Sequence, residues 1–73
     1  MFNFSKLLGK IKEKNLTQEE VALKIGMNKG TFSSKINGKS YFTAKEISKI
    51  CQLLNISPSE IGLYFFCKIS LEN

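Results

Sequence analysis

The 73-residue sequence has no histidine, no arginine and only two cysteines. Histidine is the common neutral-pH acid–base group and metal ligand. Its absence, with only two thiols, argues against a zinc site, and the acids are scattered glutamates that make no catalytic constellation. No enzyme, metal or cofactor is therefore expected. Cys51 and Cys67 do not form a disulfide framework: Cys51 falls on the apolar stripe of a helix, where a small core residue suffices, and Cys67 lies in the tail. The lack of arginine removes the bidentate fork best suited to guanine and phosphate and leaves lysine's flexible point charge. Long apolar runs are missing too. Lys6, Lys10 and Lys12 interrupt the first segment, so no signal peptide or membrane span is expected, and the protein should be cytoplasmic. The chain has room for one domain, not for a nucleotide-binding unit plus a substrate unit, and a domain of this size buries only about 60% of the surface its unfolded chain exposes.

What is present is positive charge. The formal net charge is +5 and the pI is near 9.4. Between residues 24 and 49 the charged side chains are Lys24, Lys29, Lys35, Lys39, Lys45 and Lys49, opposed only by Glu46. Each lysine alone is ordinary solvated surface. Together they favour an anionic partner such as nucleic acid.

Helical spacing of Phe4, Leu7, Leu8 and Ile11 predicts an amphipathic helix over about 4–14, capped by Asn3. A repeated device then sets later helix starts. Thr17 with Glu20, Thr43 with Glu46 and Ser57 with Glu60 each make a capping box. The residue before each cap (Leu16, Phe42, Ile56) can staple onto Val21, Ile47 or Ile61. Pro58 is the favoured proline at a first helical position. Residues 17–38, TQEEVALKIGMNKGTFSSKING, read as two short helices joined by a turn at Gly26, the second capped by Asn28, with Phe32 and Ile36 buried and Asn37-Gly38 at its end. Residues 38–42 form a loop. A fourth helix covers about 44–54 with Ile47, Ile50, Cys51 and Leu54 inward. A fifth covers about 58–65 with Ile61 and Tyr64 or Phe65 inward. Phe65 and Phe66 cannot easily face one core, so one should be exposed at a dimer contact. The sequons Asn15-Leu16-Thr17 and Asn55-Ile56-Ser57 are more simply helix-start chemistry in a cytosolic chain. In the tail, 67–73, Cys67, Ile69 and Leu71 alternate at a strand period; a dimerisation strand, a frayed end or an extension of helix five all fit.

Residues 17–38 resemble the helix-turn-helix of the lambda-repressor-like family of phage repressors and Cro proteins. The matching features are Gln18, Ala22, Gly26, Phe32 and Asn37-Gly38, and the likeness extends over about residues 3–64. One departure stands out. Three positions after Phe32, where many members carry an apolar residue, this chain has Lys35 and then Ile36. The resemblance implies an all-α, five-helix DNA-binding domain over residues 1–66 with a central helix-turn-helix. It places Lys29, Gly30, Ser33 and Ser34 at base edges in the major groove. It places Gln18, Thr31, Lys35, Asn37, Lys39, Ser40 and Thr43 at the DNA backbone. Thr31 could instead offer its methyl to a thymine, and Tyr41 could reach a phosphate or pack on its loop.

The implied function is a sequence-specific, double-stranded DNA-binding transcriptional regulator of the phage or prophage Cro or repressor type. As a homodimer it would occupy a near-palindromic operator and block polymerase, without a small-molecule substrate. One rival is an antitoxin DNA-binding subunit. Another is a protein-interaction module, such as an anti-repressor partner, that keeps the fold without binding DNA. A membrane-active peptide suits the first helix alone and leaves the capped helices unexplained. Gly38-Lys39-Ser40 resembles the end of a P-loop, but Ser33 stands where the first glycine belongs and no strand precedes it. The aromatic residues fit packing better than single-strand stacking.

Overall fold

Local hydrogen bonds define where each helix begins. In the computed structural model, which describes residues 3–66, the Asn3 side chain accepts the Ser5 amide at 2.9 Å ahead of α1 (Ser5–Glu13). Thr17 and Glu20 exchange side-chain and backbone bonds at 3.0 and 2.8 Å and open α2 (Gln18–Lys24). The Asn28 side chain accepts the Thr31 amide at 2.8 Å and opens α3 (Lys29–Ile36). Thr43 and Glu46 form a second full capping box at the head of α4 (Ala44–Leu54). The last segment differs from the single helix expected over 58–65. Its first turn is a 3₁₀ turn, Pro58–Glu60, which runs directly into α5 (Ile61–Phe65). Both the amide and the hydroxyl of Ser57 donate to the Glu60 carboxylate there. Replacing Thr17 by alanine should cost about 1 kcal/mol of stability, read as a lower urea midpoint with unchanged m-value.

The first four helices stop by a shared device. Asn15, Gly26, Gly38 and Asn55 sit at φ +60°, +77°, +81° and +60°. In each case the next residue's amide bonds a carbonyl five residues back: Leu16 to Ile11, Met27 to Ala22, Lys39 to Ser34 and Ile56 to Cys51, at 2.9–3.1 Å. This left-handed stop satisfies carbonyls that the helix leaves unpaired, and glycine and asparagine adopt it at least cost. Asn15 and Asn55 thus end helices; only Thr17 and Ser57 of the two sequons start them.

The packing is α2 against α3 and α4, with α1 closing onto α5. The core comprises Phe4, Leu7 and Ile11 of the first segment, Val21, Ala22 and Ile25, then Phe32 and Ile36, Ile50, Cys51, Leu54 and Ile56, and Phe65. Phe42 sits at the centre of a ring cluster. Its centroid lies 5.5 Å from Phe4, 5.8 Å from Phe32 and 5.8 Å from Phe65, all edge-to-face, a favoured aromatic geometry. Of the adjacent pair, Phe65 is buried and Phe66 is exposed. Ile47, Ile61 and Tyr64 pack on the core half-buried. The architecture is all-α with five helices, and no strand occurs among the described residues. The strand considered for residues 67–73 lies outside the described residues.

Candidate interaction surface

The α2–turn–α3 pair is built from the features just described: a capped start at Thr17, a left-handed stop at Gly26 and a new cap at Asn28. Val21, Ala22 and Ile25 face Phe32 and Ile36 in the core, which leaves the opposite sides of both helices to solvent. The expected base-edge residues share this outer surface. Lys29 and Gly30 are exposed, and Ser33 and Ser34 are half-buried. Gln18, Thr31, Asn37, Lys39, Ser40 and Thr43 are exposed around them.

Several of these groups are already committed within the molecule. The Asn37 amide nitrogen donates to the Ser33 hydroxyl at 3.4 Å. The Thr43 hydroxyl accepts the Glu46 amide, and the Thr43 amide donates to the Glu46 carboxylate. Both lysines of α3 carry a glutamate partner. Lys29 pairs with Glu19 of α2 at 3.8 Å, an exposed contact of small energetic worth. Lys35 is different. Its Nζ donates to both carboxylate oxygens of Glu46 at 2.7 and 2.9 Å, and its side chain is only 13% exposed. Lys35 therefore clamps α3 to the head of α4 and is turned inward, although the sequence suggested a free cation there.

Glu46 serves two elements at once. Its Oε1 also accepts the Thr43 amide at 2.9 Å. Burial is the largest single influence on its carboxyl and pushes the pKa up. The bonds from Lys35 and Thr43 and the Lys35 charge together outweigh it, and the net value is lowered. The capping box with Thr43 follows from the sequence, whereas the bond to Lys35 of α3 is visible only in the fold. Burial pushes the Cys51 thiol above its usual value, as expected for a core cysteine.

Gly30 does not occupy a crowded site. A Cβ there would meet the Asn28 side chain at 3.5 Å, an ordinary contact. Gly30→Ala should raise stability by about 0.5–1 kcal/mol in a thermal or urea melt. A loss of partner or DNA binding in the same variant would show that close backbone approach is what the glycine provides.

Two surface features were not foreseen. Leu23 at the end of α2 is 79% exposed. Beside it a shallow groove lies between α2 and α4, lined by Leu23, Lys24, Gly26, Lys49, Gln52 and Leu53, with a volume of about 580 Å³. A larger apolar groove of about 710 Å³ runs between α4 and the α5 segment, past Ile47, Cys51, Ile61 and Phe66. No group of three or more potential metal ligands occurs among the described residues. None of the helices among them is long and apolar enough to cross a membrane.

A family model described as "Protein of unknown function (DUF739)" matches residues 1–68. The chain belongs to the DUF739 family. Comparison with curated proteins finds no match. Among solved structures, this DUF739 chain is similar to the solution structure of the modulator of repression (MOR) of the temperate bacteriophage TP901-1 from Lactococcus lactis. The two share 40% sequence identity over 89% of this chain and 88% of that one, with a TM-score of 0.77. The DUF739 fold described above is therefore shared with a phage regulatory protein.

Proposed function

We propose that this DUF739 chain is a phage or prophage modulator of repression that acts by binding a protein partner, a repressor, with no operator recognition of its own. The observation that carries this reading is the 40% identity, over nearly the whole length of both chains, to a protein named for modulating repression. The electrostatics of α3 support it. A helix that reads a major groove relies on cations and base-facing polar groups free to meet DNA. Here Lys35 is turned inward onto Glu46 and the Ser33 hydroxyl accepts from Asn37, while Lys29 stays exposed with only a weak pair to Glu19. The chain thus keeps two capped helices joined by a tight turn while holding one of the two lysines of the second helix internally. No catalytic role is assigned, and the expected compartment is the bacterial cytoplasm.

A second reading has its own support. Lys39 and Lys45 are exposed beside the α2–α3 pair, and the resemblance to lambda-repressor-like proteins favours a dimeric regulator on a near-palindromic site. The deciding experiment is selection from a random duplex library at low salt, run with and without the repressor encoded in the same prophage, alongside titration of the two proteins by calorimetry. Stoichiometric association with the repressor, and no enriched motif for the chain alone, is the expected result. A two-fold symmetric motif enriched by the chain alone, whose retention falls when Lys29 and Ser33 are replaced, would establish the DNA-reading alternative.

A further inference from the structure

The groove between α2 and α4 has features that neither the fold nor a DNA surface requires. Leu23 is far more exposed than the other apolar residues of its helix, Val21 and Ala22, which are fully buried. A single exposed leucine is ordinary. This one faces a groove whose other side carries the half-buried Leu53, and lysines stand on both walls, Lys24 on α2 and Lys49 on α4.

Among the described residues those lysines have no acidic partner. The glutamates of the described residues are engaged elsewhere: Glu13 with Lys10, Glu19 with Lys29, Glu20 in the Thr17 box, Glu46 with Lys35 and Thr43, and Glu60 with Ser57. Among the described residues no carboxylate lies within ion-pair distance of Lys24 or Lys49. The groove therefore presents two apolar side chains between two free positive charges. Nucleic acid would use the lysines and gain little from a central leucine. A small ligand needs a more enclosed cavity than this shallow one. An acidic amphipathic protein segment matches both parts.

We propose that this groove docks an acidic amphipathic segment of the protein partner. An apolar side chain of that segment packs on Leu23 and Leu53 while its carboxylates pair with Lys24 and Lys49. The proposal rests on the partner-binding reading above, and it places the contact away from α3, which contributes no residue to the groove.

The test uses the full chain and the repressor encoded in the same prophage, with affinity measured by calorimetry and folding checked by thermal melts. Leu23→Asp, and the double variant Lys24→Glu with Lys49→Glu, should each weaken binding at least tenfold with unchanged melting, because all three side chains are exposed. The double variant should also flatten the salt dependence of binding. Lys29→Ser on α3 should bind within twofold of the wild type. Loss of binding in Lys29→Ser with full binding in Leu23→Asp would overturn the groove and leave the partner-binding reading standing. Failure of the unaltered chain to bind the repressor at all would overturn both.

Discussion

Phe32→Ala should lose a large share of the stability of the fold. The ring is 1% exposed and meets Phe42 edge-to-face at 5.8 Å, and through Phe42 it joins the rings of Phe4 and Phe65. Truncating a buried phenylalanine costs about 3–5 kcal/mol, part from lost transfer energy and part from the cavity left behind. A domain of this length has a total stability of roughly 4–11 kcal/mol. The variant should therefore melt many degrees lower, or show no cooperative transition near 37 °C. Leu23→Ala is the control: that side chain is 79% exposed, and its removal should change stability by no more than about 0.5 kcal/mol. A Phe32→Ala melt within a few degrees of the wild type would mean that the four-ring cluster does not hold the helices together.

The second large effect is expected at Glu46. Glu46→Ala removes both bonds to Lys35 and half of the Thr43 capping box, and leaves the Lys35 ammonium shielded from water without a counter-charge. Hydrogen bonds to charged groups are worth about 1.5–3 kcal/mol, and the lost box adds about 1 kcal/mol, so the variant should lose at least about 2 kcal/mol. Lys35→Met should cost less, since methionine keeps the apolar packing of the stem. The double variant should then show a coupling energy of about 1 kcal/mol or more in a double-mutant cycle. The pH dependence follows in sign. The folded carboxyl of Glu46 has its pKa lowered from an ordinary value of 4.5. Its contribution is therefore full at neutral pH and is lost as pH falls below about 4.5 and through the folded value. The stability gap between wild type and Glu46→Gln should shrink over that range. A gap that stayed constant down to the lowest pH at which both fold would show that the ion pair contributes nothing.

Most helix starts could be read directly because capping chemistry is local: Thr17, Asn28 and Thr43 each bond an amide three residues away. Helix stops were legible at Gly26 and Gly38, where glycine announces a left-handed residue. They were not legible at Asn15 and Asn55, because asparagine adopts positive φ only in some contexts and here also belongs to the sequence pattern that leads into the next helix. The outer surface was harder. Lys35 and Glu46 are eleven residues apart, so their pairing follows from the packing of α3 and α4 and not from any spacing rule. The pair also accounts for a lysine at a half-buried position of α3. Its methylene stem takes the half-buried slot, the ammonium is satisfied by Glu46, and Ile36 fills the core beside it. Leu23 stands outside the Val21–Ile25 stripe, and a lone apolar residue off the stripe carries no signal until the groove beside it is known.

The contact between α1 and α5 has a consequence for how the protein is made. Phe4, near the start, lies 6.5 Å from Phe65, ring to ring. Synthesis therefore yields a chain whose first helix lacks its mate until residue 65 has left the ribosome. Phe42 can cover part of the Phe4 ring earlier, but the face of α1 that meets α5 stays open until the helix carrying Phe65 arrives to seal it.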